Sequence, residues 1–437
     1  MNSEFDVIIV GGRVAGSHLA ARLGKYGFRV LLLERAQLPS LPAVSSPIIY
    51  ASTMRMLDEI GADETHYAHN TPKIKHMAIV SEAVNTSLRL PVYKGRDYAY
   101  AIDRARFDAA LWETAINYPT VTGRQNFSVT DLVWDGDTVV GVVGKEKGGE
   151  QETFHADAVI GADGRFGIIG RKVDAAETDT FDSHPTSIYY AYWHNVPQVD
   201  SQPTSAVYEG VVGTGYYTMD SADGQTVVGV EGRADTVAPD GDGVEAFYLE
   251  MLQKRPKLWQ RMQDAEMVTS VRGMRNIGNA YKQAGGAGWA LVGDAYHQKD
   301  PLDGQGIYNA VITGKILARM MLKWKNGDLS WDAAIAEYDE LARVKTYPMY
   351  KSLQNRIQTT MYTNPENNNL PEWVEPLVGR WLLSDEAVVD LFGKMMVRDM
   401  HPDMVTVLTP PTLIGAVARG IRKDVEKEIK KRIPFLN

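Results

Sequence analysis

The 437-residue sequence contains no cysteine. Disulfide bonds, thiolate-bound zinc, iron–sulfur clusters and a cysteine nucleophile are therefore excluded. The sequence also lacks the basic segment and following apolar run that a signal peptide would place at the N-terminus. No uncharged apolar stretch approaches the roughly 18 residues that a spanning helix requires. We therefore expect a cytoplasmic protein without a membrane span.

An excess of positive charge is also missing, since 46 basic residues face 55 acidic ones and the formal net charge is −9. General nucleic-acid binding requires a cationic surface that contacts phosphates. We expect no nucleic-acid partner and, instead, a small-molecule substrate. The composition, 44% hydrophobic and 23% charged, is typical of a soluble globular protein with a large core. It leaves the oligomeric state open.

The N-terminal residues predict a βαβ unit. Residues 6–10 form a β-branched apolar run, Gly11 and Gly12 end it, residues 17–26 have helical spacing, and residues 28–33 form a second apolar run. Strands joined in this way are parallel and buried on both faces.

The glycine-rich turn of this unit resembles a dinucleotide fingerprint, with Arg13 in place of the second glycine of GxGxxG. Gly11, Gly12 and Gly16 permit a tight turn, and the helix N-terminus offers unpaired N–H groups to a pyrophosphate. Glu34, at the end of the next strand, is suited to accept ribose hydroxyls. A glycine turn without a ligand is the alternative interpretation.

Small residues around an aspartate follow an apolar run at two later points. The first is Gly161-Ala162-Asp163-Gly164, which alone would predict a simple turn. The second begins at Gly293-Asp294 and reaches Gly306, where a long helical pattern starts. Each could be an ordinary connection. Together with the first glycine-rich turn, however, they make three such motifs in one chain, which favours a shared ligand.

Together these motifs resemble the FAD-dependent monooxygenases of the para-hydroxybenzoate hydroxylase type and their relatives, the geranylgeranyl reductases. The match lies in residues 10–17, in the Arg-x-x-Phe-Asp element at 104–108, in residues 161–164 and in residues 293–306. The resemblance implies an α/β fold: a Rossmann-like FAD-binding domain, an inserted antiparallel β-sheet domain for the substrate, and a helical C-terminal region. We place the FAD-binding domain at residues 1–70, 97–170 and 275–330, the sheet domain at 71–96 and 171–274, and the helical region at 331–437.

The resemblance also implies which residues bind FAD. The expected cofactor-binding residues are Gly11, Gly12, Arg13, Ala15, Gly16, Glu34, Arg35, Arg104, Asp163, Gly164, Asp294, Pro301, Gly304, Gln305 and Gly306. NAD(P)H is the implied electron donor, and it binds transiently in this family, which agrees with the absence of a second dinucleotide fingerprint. Two positions depart from the family pattern: Arg13 replaces a glycine, and Tyr308 replaces an asparagine.

Aromatic residues are concentrated in the predicted sheet domain: Tyr189, Tyr190, Tyr192, Trp193, Tyr208, Tyr216 and Tyr217, together with His194 and Glu209. Alternate strand residues share a face, so about half could line a pocket, and as a set they favour an aromatic or polycyclic substrate, although core packing is the preferred interpretation for any single one. The resemblance implies that O2 reacts with reduced flavin and that a flavin hydroperoxide hydroxylates or epoxidises an aromatic or polyketide-like molecule. His194, Tyr216 and Tyr217 are candidate bases by residue type alone.

Three alternatives also bind a flavin: two catalyse a different reaction and one catalyses none. A reductase of isoprenoid double bonds and a flavin halogenase are both related, but the Tyr-x-Trp-x-Phe-Pro and Trp-x-Trp-x-Ile-Pro elements that we associate with them are absent. A non-catalytic flavoprotein is the third. We expect no metal site, because His66, His69 and His76 have no carboxylate signature nearby.

The C-terminal residues 419–432 are mainly basic and carry Ile421, Val425 and Ile429 on one helical stripe. This stripe predicts a helix that docks on the protein body. A helix that rests on a membrane surface is the alternative.

Overall fold

The computed structural model describes residues 4–41, 45–81, 85–208, 213–241, 243–362, 375–383, 385–398 and 410–432. The strands are β1 Phe5–Val10, β2 Val30–Leu33, β3 Ile48–Ile49, β4 His76–Val80, β5 Asn85–Arg89, β6 Tyr100–Ala101, β7 Val121–Arg124, β8 Phe127–Asp135, β9 Thr138–Glu146, β10 Glu152–Gly161, β11 Glu177–Thr178, β12 Thr186–His194, β13 Thr204–Tyr208, β14 Thr214–Asp220, β15 Thr226–Arg233, β16 Glu266–Met267, β17 Arg272–Ile277, β18 Ala280–Lys282, β19 Gly285–Gly286, β20 Trp289–Leu291 and β21 His297–Gln298. The α-helices are α1 Val14–Lys25, α2 Ala51–Asp58, α3 Glu64–Tyr67, α4 Arg104–Ile116, α5 Ile168–Lys172, α6 Val244–Gln253, α7 Pro256–Arg261, α8 Gly306–Lys325, α9 Trp331–Arg356, α10 Glu375–Leu383, α11 Glu386–Met396 and α12 Pro410–Arg432.

The first sheet has the strand order β19-β20-β10-β1-β2-β7, and the five strands from β20 to β7 are parallel. Residues Val7 to Val10 are buried because helices α1, α4 and α8 pack on one face, while β8 and β9 extend from β10 as an antiparallel layer. Such burial on both faces explains the unbroken apolar run in β1. The βαβ unit and the α/β class predicted from the sequence are confirmed.

The second sheet has the order β16-β12-β15-β14-β13-β4-β5, with β17 also paired to β12. Strands β12 to β15 are antiparallel neighbours, as the sequence predicts for an inserted sheet. One pair differs, because β13 runs parallel to β4, so the sheet is mixed. The domain boundaries themselves stay predictions.

The C-terminal region is helical, and α9 packs along α8. Helix α12 packs on α10 through small residues: Ala416 is buried, and a Cβ on Gly420 would lie 2.4 Å from the ring of Trp381. The stripe of Ile421, Val425 and Ile429 is 44–52% exposed, so the prediction that it docks on the body is wrong. Among the described helices, none combines the length and apolar character needed to cross a bilayer.

Candidate active site

The three glycine-containing motifs meet at the carboxyl ends of the adjacent parallel strands β1, β10 and β20. A Cβ on Gly11, whose φ is +105°, would lie 2.4 Å from the carbonyl oxygen of Ala162. A Cβ on Gly293 would lie 2.8 Å from the Cβ of Ala15, and one on Gly16 would lie 1.8 Å from the carbonyl oxygen of Gly11. The close approach therefore requires glycine at each point. This edge is where open α/β sheets bind their ligands.

Glu34 is fixed beside the first glycine turn. Its Oε2 accepts a 2.8 Å hydrogen bond from the N–H of Gly12, its Oε1 accepts one of 2.9 Å from Ala36, and the residue is 4% exposed. Each carboxylate oxygen keeps a second lone pair for a hydroxyl donor. The neighbouring Arg35 is exposed.

Arg13 is held by a buried ion-pair cluster. Its Nη1 donates to Asp108 Oδ2 at 2.7 Å and to the carbonyl of Ser40 at 2.8 Å, while Arg104 Nη2 donates to Asp108 Oδ1 at 2.9 Å. Arg104 also donates to the hydroxyl of Ser45. The fully buried Asp108 thus fixes two guanidinium groups near the start of α1. Asp108 belongs to the Arg-x-x-Phe-Asp element, but the sequence alone indicates no role for it.

The two aspartates of the later motifs lie in different environments. Asp163 Oδ2 accepts a 2.9 Å hydrogen bond from Ile169 at the start of α5, while its buried Oδ1 has no partner among the described residues. Burial raises the pKa of Asp163. Burial also raises the pKa of Asp294, against the opposing charges of Arg165, Arg104 and Lys299. In the described part of the chain, no group hydrogen bonds to the Asp294 carboxylate, which leaves its oxygens for a ligand.

The loop of residues 299–306, here called the flavin loop after the cofactor that the sequence resemblance implies for it, is packed through charged side chains. Lys299 Nζ donates to Asp303 Oδ2 at 2.7 Å and also to Gln305, and burial lowers the pKa of Lys299 to about 8. A Cβ on Gly304, whose φ is +61°, would lie 2.5 Å from Ile48 Cγ2, so the loop lies close against β3. Asp303 Oδ1 and Gln305 Nε2 are buried without partners among the described residues.

These unpartnered groups and the crowded glycine turns fit FAD. Buried polar atoms are normally hydrogen bonded, so an acceptor at Asp303 and a donor at Gln305 suit a heterocycle with polar edges on the flavin loop. Pro301 and Gly306 belong to the same loop, and no described atom lies within 4 Å of a Cβ built on Gly306. Gly164, whose φ is +77°, has similar open space.

A pair of carboxyl groups, missed in the sequence analysis, joins the second sheet to the flavin loop. Glu231 of β15 is 3% exposed and forms a side-chain hydrogen bond with Asp300. Asp300 also accepts hydrogen bonds from the Thr186 hydroxyl and, at 2.9 Å, from the N–H of Leu302. Burial, together with the charges of Asp300 and Asp303, raises the pKa of Glu231 well above its ordinary value. Burial therefore favours the protonated form of Glu231, and its Oε1 lacks a partner among the described residues. A single acidic residue in the apolar run of β15 is the signal that could have revealed it.

One face of the second sheet, here called the front face, carries the rings of Tyr190, Tyr192 and Tyr217 next to Val227. Tyr190 and Tyr217 lie on either side of Gly229 in register, and a Cβ on Gly229 would lie 2.1 Å from Tyr217 Cζ. The glycine therefore makes room for the Tyr217 ring. The Tyr190 hydroxyl accepts a 3.2 Å hydrogen bond from Ser45, so the front face contacts the segment between β2 and β3.

The three candidate bases lie in different places. Tyr217 is on the front face, where burial and the neighbouring Glu231 raise its pKa well above 10. Tyr216 packs on the opposite face, and burial raises its pKa to about 12. His194 is at the far end of β12 from Thr186, about 26 Å along the strand at the usual rise per residue. These environments favour neutral tyrosines and separate His194 from the flavin loop; Glu209 lies outside the described residues.

The sequence and the fold were compared with known proteins. The family model described as "FAD binding domain" matches residues 4–340. Digeranylgeranylglycerophospholipid reductase 2 of Methanococcoides burtonii is 29% identical over 78% of this chain and 81% of its own. Squalene monooxygenase SE2 of Panax ginseng is 26% identical over 82% of this chain and 64% of its own. The flavin-dependent brominase Bmp2 has a TM-score of 0.75, at 17% identity, over 98% of this chain and 99% of its own, which shows the shared fold.

Proposed function

Because the chain belongs to the FAD-binding domain family of FAD-dependent oxidoreductases, we propose that it is a monooxygenase. It uses NAD(P)H and O2 to hydroxylate or epoxidise an uncharged aromatic, polycyclic or polyketide-like small molecule. When bound, FAD supplies the electron transfer and oxygen activation that no amino-acid side chain provides. The protein binds and orients the substrate and excludes water.

The residues at the strand ends would hold FAD. Glycine turns at Gly11 and Gly12, with the positive charge of Arg13 nearby, suit the pyrophosphate. The carboxylate oxygens of Glu34 and Asp294 suit sugar and ribityl hydroxyls.

The substrate proposal rests on one observation, the cluster of aromatic rings on the front face. Its three tyrosines present aromatic rings, and burial favours the neutral form of Glu231 beside them. Aromatic walls of this kind favour planar, apolar ligands over charged ones. An uncharged substrate is therefore favoured.

The carboxyl pair gives the site one proton next to the flavin loop. Glu231 donates its hydrogen bond to the Asp300 carboxylate, while Thr186 donates a second one. A neutral acid in this position can deliver a proton to an oxygen of the substrate, and uptake of one proton from solvent after product release restores the acid.

A second candidate, a reductase of isoprenoid double bonds, is favoured by the 29% identity to the digeranylgeranylglycerophospholipid reductase. Both reactions begin with reduced flavin and differ in their use of O2. The same protonated Glu231 would serve the reductase as a proton donor to carbon.

The experiment is anaerobic mixing of the holoenzyme with NADPH or NADH, with the visible flavin absorption followed over time. A panel of phenols, polycyclic aromatics and isoprenoid alcohols is added in parallel. We expect slow bleaching that an aromatic compound accelerates, followed by rapid reoxidation when O2 is admitted. Colour that persists with both nucleotides and every compound would overturn the proposal. Acceleration by isoprenoids alone, with a saturated product formed without O2, would select the reductase.

A further inference from the structure

A cavity of about 300 Å³ lies outside the front face, between α2, α8, α9 and the turn at Tyr93 and Lys94. Its walls include the apolar side chains of Tyr308, Ile312 and Ile316 on α8. This volume is at the small end of the range for small-molecule pockets, roughly 300–1,000 Å³. The cavity can therefore hold a compact ligand with one apolar part.

The polar lining of the cavity is strongly cationic, although the whole chain carries a net charge of −9. The cationic lining residues are Arg55, Lys94, Lys315, Arg319, Lys345 and Arg398. Glu59, an acidic residue in the lining, is neutralised by Arg22 at 2.5 Å and Lys315 at 2.8 Å. In the part of the chain that the structure describes, no carboxylate pairs with Lys94, Arg319 or Lys345. The cavity thus has positive charge available for an anion.

Two buried polar atoms in the lining lack partners. Ser52 is 7% exposed, and neither its Oγ nor the Nε of Arg398 has a hydrogen-bond partner among the described residues. The two Nη atoms of Arg398 donate to the carbonyls of Met395 and Asp303, at 2.8 and 2.5 Å, which fixes the guanidinium. Since buried donors are normally satisfied, these two atoms point to a ligand with acceptor oxygens.

We propose that this cavity binds a phosphate monoester that carries a short apolar chain. Guanidinium and ammonium groups together suit the several oxygens of a phosphate, and the apolar wall suits the chain. The proposal goes beyond the oxygenase function and does not depend on it. Because Arg398 also binds the carbonyl of Asp303 in the flavin loop, the ligand would contact a side chain that supports that loop.

Isothermal titration calorimetry of the holoenzyme with hexyl phosphate, inorganic phosphate and hexanol tests the site. We expect hexyl phosphate to bind about tenfold more tightly than inorganic phosphate, and hexanol to give no saturable heat. The double variant Arg319→Ala/Lys345→Ala should weaken hexyl phosphate at least about tenfold, and Ser52→Ala about threefold. Both charged residues are exposed, so the double variant should fold.

The matched control is Lys423→Ala/Lys427→Ala, which removes two exposed lysines from α12 and should leave the affinity unchanged. Equal affinity in the wild type and in the Arg319→Ala/Lys345→Ala variant would overturn the proposal, as would the absence of saturable binding. Binding is measured without turnover, so a failure of the oxygenase proposal does not affect this result.

Cosedimentation with phosphatidylcholine vesicles, with and without phosphatidic acid, identifies the source of the phosphate. Sedimentation that requires phosphatidic acid and is reversed by hexyl phosphate would support a lipid headgroup. Protein that stays in the supernatant while it binds hexyl phosphate in calorimetry would support a soluble phosphate monoester.

Discussion

Replacement of Glu231 by glutamine tests the protonated carboxyl pair. In the wild type, the folded state holds a proton on Glu231 at pH values where the unfolded chain, with a glutamate pKa of about 4.3, has lost it. The raised folded pKa therefore contributes stability that is fully present below the unfolded pKa and is lost as pH rises towards the folded pKa. Glutamine keeps a donor for Asp300 but binds no proton.

The size of the expected change in the free energy of unfolding follows from the single proton that Glu231 holds in the folded state. Between the two pKa values, the folded state binds one more proton than the unfolded state, so the free energy of unfolding falls by about 1.4 kcal/mol per pH unit from this group. We expect the stability difference between the wild type and Glu231→Gln to change by about that amount from pH 5 to pH 6. The assay is urea unfolding followed by tryptophan fluorescence at both pH values.

Glu266→Gln is the control, because Glu266 is an exposed carboxylate on β16 of the same sheet. This variant should keep the pH dependence of the wild type. Identical slopes for the wild type and Glu231→Gln would refute the assignment of a buried proton to Glu231. The comparison between variants removes the contribution of the other titrating groups.

Three further predictions concern the cofactor and substrate residues. Gly11→Ala should lose more than about 90% of bound FAD, measured by flavin absorbance per chain, because the added Cβ meets a backbone oxygen. Asp108→Asn should destabilise the protein by about 3 kcal/mol in urea unfolding, since it leaves two guanidinium groups without their buried counter-charge. Tyr217→Leu should weaken substrate binding about 2- to 10-fold in flavin-reduction titrations, whereas Tyr216→Leu, on the other face, should lower the melting temperature and leave substrate affinity unchanged.

Each of these predictions has a control. Gly149→Ala, in a hairpin turn where the added Cβ would make only ordinary van der Waals contacts, should keep full FAD content. Asp223→Asn breaks the exposed pair with Arg106 of α4 and should cost less than about 1 kcal/mol. Normal flavin content in Gly11→Ala, equal costs for Asp108→Asn and Asp223→Asn, or equal substrate effects of the two tyrosine variants would each contradict the corresponding interpretation.

Local elements could be predicted well from the sequence. Residues 104–116 have helical spacing in the sequence and form α4 with the same bounds, and the Asp103 side chain caps its N-terminus. Helix α1 was predicted from residue 17 but begins at Val14, because Gly16 was treated as part of the turn. In the structure Gly16 is helical, and it is required because a Cβ there would collide with Gly11.

Long-range features of the site could not be predicted in this way. The contact between Glu231 and Asp300 depends on the register of β15 and on the position of the flavin loop, and neither is encoded near these residues. The parallel pairing of β4 with β13 is likewise set by the whole sheet. By contrast, the strand-end motifs lie next to the strands that position them, so their positions are predictable from the sequence.

As a monooxygenase, the holoenzyme would transfer one atom of O2 to an uncharged substrate. The most direct measurement is a single turnover under ¹⁸O2, with the compound that best accelerates flavin reduction and with product analysis by mass spectrometry. The proposed function predicts one ¹⁸O atom in the product and NAD(P)H consumed in equal amount. A product that has gained two hydrogens and no ¹⁸O would contradict it and identify the enzyme as a reductase.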